Sequence, residues 1–184
     1  MKVIVAVTGA SGTIYAKGFL EAAKSHGIET HLIITESGEK VAKYELGGSD
    51  ELKKLADSIY DWNDLTATIA SGSHDVDAMV IVPSSMKTAS AIAHGFADNL
   101  VTRAADVQLK ERRTLLLVPR ETPLHAIHLE NMAKLAHMGA IILPAMPGFY
   151  HNPESIQDIV DFITGKILDQ LGKKNDLFKR WGSD

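Results

Sequence analysis

The amino-acid sequence predicts a three-layer α/β/α sandwich built around a mainly parallel sheet. Short apolar runs, rich in Val, Ile and Leu and bounded by Gly, Pro, Ser or Thr, alternate with stretches of helical pattern. Continuous apolar runs of this length are typical of strands buried on both faces, and their alternation with helices is typical of βαβ units. Because a domain averages about 150 residues, we expect one domain over residues 1–184.

The individual elements follow from the same pattern. The predicted strands are residues 3–7, 31–35, 78–82, 114–118 and 140–143. The predicted helices are residues 12–26, 36–45, 49–62, 64–71, 88–95, 99–111, 123–138 and 153–171. The most polar connection, residues 47–77, shows helical pattern and no strand, so we expect it to pack over one edge of the sheet.

Composition excludes several classes of protein. There is no cysteine, which excludes disulfides and Cys-ligated metal centres, and His125 and His128 have no nearby third ligand, so no metal is expected. With 19 Lys and Arg against 23 Asp and Glu, a nucleic-acid partner is not expected. No apolar stretch approaches the roughly 18 residues of a membrane span. We therefore expect a cytoplasmic protein with no membrane partner.

Candidate ligand-binding segments follow the predicted strands. In an open parallel sheet, ligands bind beyond the carboxyl ends of the strands. All five strand ends carry glycines, hydroxyls, a cation or a polar-tipped aromatic, in residues 8–12, 35–38, 83–88, 119–123 and 144–150. This convergence predicts a shared pocket that favours anions.

The small-residue turn at residues 9–12 opens a predicted helix, where backbone N–H groups suit a phosphate. A tight turn in which Ser11 caps the helix explains the same residues equally well. The dinucleotide fingerprint is incomplete, because it needs a glycine where Val7 stands. However, Glu36 lies near the position of a ribose-binding acid, so a nicotinamide cofactor stays open.

Two further segments carry cations. Residues 84–88 combine three hydroxyls with Lys87 at a helix start, which fits either an anion cradle or two capping hydroxyls with a solvated lysine. Arg103 and Lys110 are seven residues apart and share one face of the predicted helix 99–111. That face is an anion site if it turns toward the strand ends, and otherwise a basic end favoured by the helix dipole.

The pair Arg120 and Glu121 stands at a strand end between two prolines. The guanidinium can bind a phosphate through a bidentate contact and the carboxylate can shuttle a proton, although a surface ion pair is the alternative.

Tyr150 fits either a phenol placed near a planar ligand or phosphate, or a packed loop aromatic. Trp181 near the carboxyl terminus fits an anchor for the tail, on a neighbouring subunit.

These motifs together resemble the UbiX-type flavin prenyltransferases from end to end. The matching segments are residues 8–15, 70–73, 83–88, 98–100, 103–107, 109–113, 119–124, 148–150 and 180–181. The resemblance implies a Rossmann- or flavodoxin-like flavin-binding domain. It also implies metal-independent transfer of a dimethylallyl group from dimethylallyl phosphate to N5 and C6 of reduced FMN. Its further implications are prenylated FMN as product, a UbiD-type decarboxylase as recipient, and a homo-oligomer, a dodecamer of trimers.

The resemblance also assigns roles to residues of this chain. FMN would be bound by Gly9, Ala10, Ser11, Thr35, Ser85, Met86, Lys87, Thr88 and Arg120. Dimethylallyl phosphate would be bound by Arg103, Lys110, Arg120, Tyr150, Lys166 and Trp181. Glu121 would be the acid/base at the departing phosphate, Ser11 a proton relay near the flavin, and Lys110 a third catalytic residue. Lysine at 166, where many members have arginine, keeps the charge and loses the bidentate fork.

Two other functions are compatible with this fold. A flavin-dependent cysteine decarboxylase would share it, but such enzymes resemble this chain less around Arg120 and in residues 103–113. They also carry an early histidine and a substrate-clamp motif that are not found here. An FMN carrier without turnover would keep the flavin loops and lose Glu121 or the cations, all of which are present. The residues therefore favour the prenyltransferase.

Overall fold

A six-stranded sheet forms the centre of the protein. Its strands are β1 (Lys2–Val7), β2 (Glu29–Ile34), β3 (Ser58–Tyr60), β4 (Ala78–Ser84), β5 (Thr114–Pro119) and β6 (Ile141–Ile142). They lie in the order β3-β2-β1-β4-β5-β6, and every neighbouring pair is parallel. The structure is a computed structural model, and it describes residues 1–182. The predicted parallel sheet is confirmed.

Helices cover both faces of the sheet. They are α1 (Thr13–Ser25), α2 (Glu36–Leu46), α3 (Asp50–Leu55), α4 (Met86–Ala93), α5 (Leu100–Lys110), α6 (Ala126–His137) and α7 (Ile156–Gln170). Alternate residues of each strand point to opposite faces, so Val3, Val5 and Val7 pack under α1 and α7 while Ile4 and Ala6 pack with α4 and α5. The three-layer sandwich is therefore also confirmed. Within residues 1–182, no helix has the length and apolar character that crossing a membrane requires.

The polar connection before β4 differs from the prediction. The helix predicted over residues 49–62 ends at Leu55, and the chain then adds β3 to the sheet edge. Asp57 sets this register: its carboxylate accepts hydrogen bonds from the backbone N–H (2.7 Å) and hydroxyl (3.1 Å) of Thr30. These bonds reach across 27 residues, so the local helical pattern did not reveal them. The helix predicted over residues 64–71 is reduced to a 3-10 turn at Thr68–Ala70.

The strand order places a crevice above the middle of the sheet. From β1 the chain winds outward through β2 to β3, and it then returns to β4 on the other side of β1. Loops that leave β1 and β4 therefore diverge to opposite faces. In doubly wound sheets, this reversal point is where ligands bind.

Candidate active site

The loops after β1 and β4 are joined by one buried threonine. The Thr8 hydroxyl donates to the carbonyl of Pro83 (2.8 Å) and accepts from the backbone N–H of Ser85 (2.8 Å). Its side chain is almost fully buried. The predicted flavin-binding segments at residues 9–11 and 85–88 are consequently held side by side at the reversal point.

The loops after β1 and β2 approach each other as closely as glycine allows. A Cβ added at Gly9 would lie 2.5 Å from Cβ of Ser37, and one at Gly38 would lie 2.6 Å from the carbonyl oxygen of Val7. The backbone N–H of Thr35 donates to the same Val7 oxygen (3.0 Å). Gly9 and Thr35 therefore belong to one continuous wall, and any larger residue at position 9 would separate the two loops.

Three helices begin at this wall. The N-terminal residues of α2, α4 and α5 are capped by Thr35, Ser85 and Asn99, which accept backbone N–H groups at 3.0, 3.3 and 3.1 Å. Each helix start has a partial positive charge and N–H groups that lack intrahelical partners. These helix starts surround a cleft of about 210 Å³ lined by Gly9, Thr35, Glu36, Ser37, Trp62, Ser85, Lys87, Thr88, Ala91, Phe96, Asp98, Asn99 and Thr102. Such a donor set fits the phosphate of a mononucleotide.

Arg120 connects the end of β5 to the same loops. Its Nε donates to the carbonyl of Ser11 (3.2 Å), and its backbone N–H donates to the carbonyl of Ser84 (3.3 Å). The next residue, Glu121, is exposed, and its carboxylate accepts the backbone N–H of Thr122 (3.0 Å). A cation therefore lies beside the Ser11 turn, and a solvent-accessible carboxylate follows it in the chain.

The start of α1 differs from the sequence prediction. Ser11 does not cap this helix, because the N-cap is Gly12 in the left-handed region (φ 115°). Glu45, at the end of α2, replaces the cap: its carboxylate accepts the backbone N–H groups of Gly12 (2.9 Å) and Thr13 (2.8 Å) and the Thr13 hydroxyl (2.6 Å). A carboxylate of the protein thus occupies the backbone N–H groups of Gly12 and Thr13, where the sequence allowed a ligand phosphate.

Glu45 is also a candidate functional residue that the sequence did not reveal. Desolvation acts to raise its pKa, but hydrogen bonds from the side chains of Ser11 and Thr13 and from two backbone N–H groups hold that pKa below the ordinary value. Glu45 is therefore a stable anion in contact with the Ser11 hydroxyl. It lies 33 residues from Gly12, and nothing in the local sequence pattern marks it.

Three of the six residues predicted for the prenyl donor, Tyr150, Lys166 and Trp181, lie at an aromatic cluster next to β6. The Tyr150 ring lies 5.3 Å from that of Trp181 and 6.1 Å from that of Phe162. The amine of Lys166 lies 5.8 Å from the Phe162 ring and 5.4 Å from that of Phe178. Tyr150 and Lys166 thus share Phe162 as a neighbour, and Trp181 joins the cluster through Tyr150.

Arg103 and Lys110 do not join either group within one copy of the chain. Arg103 donates to the carbonyl of Ala70 (3.1 Å) and pairs with Asp106 (3.1 Å). Lys110 pairs with Glu111 at the far end of α5, about 12 Å along the helix axis from the cleft residue Thr102. Four residues later β5 begins, so Lys110 lies toward the amino ends of the strands.

No metal-binding cluster stands out in the described part of the chain. Within residues 1–182, no three His, Cys, Asp or Glu side chains are grouped so that they could hold a metal ion. The rings of His125 and His128 stack on each other, with centroids 3.5 Å apart.

Known proteins share both this sequence and this arrangement. The profile of the Flavoprotein family matches residues 1–168. The flavin prenyltransferase UbiX of Methanothermobacter thermautotrophicus is 56% identical over 180 residues, which cover 97% of this chain and 94% of that protein. The chain belongs to the UbiX family of flavin prenyltransferases.

Solved UbiX structures extend the match to the whole fold. AnUbiX (PadA1), crystallised in complex with FMN and dimethylallyl pyrophosphate, is 42% identical, with a TM-score of 0.97 over 100% of this chain and 98% of its own. A dodecameric FMN-dependent UbiX-like decarboxylase from Escherichia coli O157:H7 is 43% identical, with a TM-score of 0.96 over 100% of both chains. The peptidyl-cysteine decarboxylase EpiD is 19% identical with a TM-score of 0.62, which shows a shared fold alone. UbiX membership therefore takes the place of the cysteine-decarboxylase and nicotinamide alternatives.

Proposed function

We propose that this protein transfers the dimethylallyl group of dimethylallyl phosphate to N5 and C6 of reduced FMN and releases prenylated FMN. Residues 1–184 act as one flavin-binding domain, and FMN is a substrate of the reaction. Because both substrates are phosphate esters, whose charge opposes passage through a membrane, we place the reaction in the cytoplasm.

One observation carries this proposal. The loops after β1, β2 and β4 line one cleft at the reversal of strand order, and three helix starts face it. Arg120, from the loop after β5, contacts the carbonyl of Ser11 beside this cleft. The same chain matches, over its full length, a UbiX protein crystallised with FMN and dimethylallyl pyrophosphate. An FMN-sized ligand with one phosphate and a second phosphate ester are the chemistry that this set of donors and cations suits.

The reaction is balanced without an added redox partner. The C–O bond of the allylic phosphate breaks, and the phosphate leaves with the bonding electrons. The N5–C bond replaces this C–O bond, and N5 gives up its proton. The C6–C bond forms as the double bond of the prenyl group is consumed, and the proton lost from C6 is balanced by one added to that double bond. One proton therefore passes in net from the flavin to the phosphate. The protein must therefore neutralise a leaving oxyanion, exclude water and move protons.

The flavin binds in the cleft. The helix starts at Thr35 and Ser85, with Thr88 and the Lys87 amine, hold the phosphate of FMN. The turn at residues 9–11, which Gly9 allows to lie close to Ser37, presents backbone N–H groups toward the flavin. Met86 begins α4 at the same edge. Arg120, fixed on the carbonyl of Ser11, places its charge between the flavin loops and the donor side.

We assign proton transfer at the phosphate to Glu121 and the positioning of Ser11 to Glu45. Glu121 is exposed at the rim beside Arg120, so it can give a proton to the departing phosphate and regain one from the flavin in the same turnover. Ser11 contacts the Glu45 carboxylate, which hydrogen bonds keep ionised. We infer that the ionised Glu45 carboxylate orients the Ser11 hydroxyl, which acts as a proton relay near the flavin.

The donor binds at the aromatic cluster. The amine of Lys166 and the phenol of Tyr150 bind its phosphate, and the rings of Tyr150 and Trp181 shield the allylic cation from water. Since Lys110 lies at the amino ends of the strands in its own chain, we infer that Lys110 and Arg103 serve the site of another copy. The dodecameric state of a UbiX-like relative supports such an assembly, and we propose a dodecamer of trimers here.

The product, prenylated FMN, passes to a second protein. Prenylated FMN is assembled at an open rim and keeps its phosphate, so it can leave intact and bind a second protein. We propose a UbiD-type decarboxylase as that second protein. The protein thus supplies a cofactor and does not itself act on a carboxylic acid.

The decisive experiment is a single anaerobic incubation. The protein, reduced FMN and dimethylallyl phosphate are mixed without oxygen, and the released flavin is analysed by mass spectrometry. A flavin heavier by one C5H8 unit is expected. A control in which oxidised FMN replaces reduced FMN should give no such product. Bound but unmodified reduced FMN, with the monophosphate or the diphosphate as donor, would leave an FMN carrier as the function.

A further inference from the structure

The carboxyl-terminal tail is tied to α7 by a cluster of charged and polar groups. Asp169, in the last turn of α7, accepts both terminal nitrogens of the Arg180 guanidinium, at 2.5 and 2.8 Å. Asn175 donates to the same carboxylate (3.0 Å) and to the carbonyl of Gly165 (3.1 Å), and its own carbonyl accepts from Arg180 (3.0 Å). We call Asp169, Asn175 and Arg180 the tail clamp. Because the Arg180 guanidinium donates two hydrogen bonds to the Asp169 carboxylate, the contact fixes the orientation of Arg180 as well as its distance from α7.

The tail clamp holds an aromatic ring against the helix. Phe178 lies between the clamp residues in sequence, is almost fully buried, and packs on Phe162 with centroids 4.8 Å apart. The Arg180 guanidinium carbon lies 4.7 Å from the Phe178 ring, and the Lys166 amine lies 5.4 Å from it. Lys166 thus points at a surface that the tail provides. A Cβ added at Gly165 would lie 2.7 Å from both Asn175 Oδ1 and the Phe178 ring, so the close approach depends on that glycine.

The residue after the clamp arginine reaches the loop that carries Tyr150. Trp181 meets the Tyr150 ring edge to face, at 5.3 Å and 87°. Trp181 is 81% exposed, so burial alone does not hold it there. Tyr150 lies in the irregular segment between β6 and α7, where no strand or helix fixes its direction. Its orientation therefore depends on the rings around it.

From these contacts we propose that Asp169, Asn175 and Arg180 are positioning residues for the prenyl donor. They hold the tail so that Trp181 supports Tyr150 and Phe178 supports Lys166, and they need not touch either substrate themselves. The Arg180 hydrogen bonds hold the Asp169 pKa below its usual range, which keeps the clamp charged at neutral pH. This inference rests on the proposed function, because it concerns the donor side of the same site.

The test compares Arg180→Gln with Lys17→Gln. Both remove the cation of an ion pair that links two segments, since Lys17 pairs with Glu51 at 2.8 Å between α1 and α3. We expect Arg180→Gln to raise the KM for dimethylallyl phosphate at least about tenfold while the Kd for FMN stays within twofold. Lys17→Gln should change neither value. Arg180→Lys keeps the charge but cannot make the bidentate contact, so its KM for dimethylallyl phosphate should rise less than that of Arg180→Gln.

A second variant reaches the tail without altering a charge. Gly165→Ala favours the helix intrinsically, but its methyl group would displace Asn175 and Phe178. It should therefore reproduce the raised donor KM in a folded protein. Trp62→Phe leaves Trp181 as the sole tryptophan of the chain, and in that background the fluorescence anisotropy of Trp181 should fall in both variants.

The outcomes separate the two hypotheses. If the wild-type protein transfers no prenyl group, the proposed function is overturned. If the wild type transfers it while Arg180→Gln and Gly165→Ala keep wild-type donor kinetics, only the positioning role is overturned. Unchanged anisotropy of Trp181 in both variants would likewise show that the clamp does not hold the tail.

Discussion

Thr8→Val is the substitution that most directly tests how the cleft is held together. Valine has nearly the same shape as threonine, so the core contacts of the side chain remain. The hydroxyl is lost, and with it the bond to the Pro83 carbonyl (2.8 Å) and the acceptor for the Ser85 N–H (2.8 Å). The Pro83 oxygen keeps one longer bond, from the Thr8 backbone N–H at 3.3 Å. The Ser85 N–H is left without its acceptor at a part-buried position.

The expected magnitude follows from that unpaired group. A buried donor left without an acceptor costs about 1–3 kcal/mol, and about 2 kcal/mol is the central value. For a chain of this size, 1 kcal/mol corresponds to about 2–4 °C in the midpoint of thermal unfolding. We therefore expect Thr8→Val to lower the midpoint by about 4–8 °C. Because Ser85 caps α4 at the cleft, FMN should also bind at least several-fold more weakly.

The assay is differential scanning calorimetry of the flavin-free protein at one fixed concentration, followed by titration with FMN. Thr8→Ser is the matched control, since it keeps the hydroxyl and loses one methyl group. It should bind FMN as the wild type does. If Thr8→Val retains both the wild-type midpoint and the wild-type FMN affinity, then the hydroxyl does not join the two loops and our account of the cleft is wrong.

Three other predictions address the wall, the chemistry and the pH dependence. Gly9→Ala should weaken FMN binding more than tenfold in equilibrium titrations, because its Cβ would lie 2.5 Å from Cβ of Ser37; an unaltered Kd would contradict the close approach of the two loops. Glu121→Gln should bind FMN normally and slow transfer about 100-fold or more in single-turnover assays, as expected for loss of an acid/base; full activity would remove Glu121 from the mechanism. Burial lowers the pKa of His31 below 6.5, so the unfolded chain binds the proton first and the free energy of unfolding should fall as pH drops from 7.5 to 5.5. Urea titrations across this pH range should show a smaller fall in the free energy of unfolding for His31→Gln than for the wild type. An equal pH dependence in the two proteins would refute the assignment of this effect to His31.

The sequence predicted the centre of the fold well because its signals are local. Strands β1, β4 and β5 contain continuous apolar runs and β2 ends in a short one, and such runs are typical of strands that helices cover on both faces. By contrast, β3 was missed. It has three residues and a half-exposed Ile59, and it is placed by Asp57, whose partner Thr30 lies 27 residues away. A non-local hydrogen bond of this kind leaves no periodicity to detect.

The residues of the candidate site also separate into those that local sequence signals predicted and those that depend on non-local packing. The rule that ligands bind beyond the carboxyl ends of parallel strands was enough to bring residues 9–11, 85–88 and Arg120 to one rim, and the structure places them there. Glu45 was not predicted, because its role as the cap of α1 depends on how α2 packs against α1. Trp62 and Phe96, which line the cleft, were also missed. Each is an ordinary apolar side chain in a connection, with no motif around it.

The direction of α5 explains why the residues predicted for the site do not all lie in one pocket of a single chain. A helix that connects two parallel strands must run antiparallel to them, so it begins at the carboxyl rim and ends at the amino rim. Asn99 caps the start of α5 at the cleft, and Lys110 closes its far end. No change of rotamer can bring the Lys110 amine back over about 12 Å to that cleft. If Lys110 takes part in the chemistry, it acts in another copy, and the assembly is then a requirement of the active site as well as a source of stability.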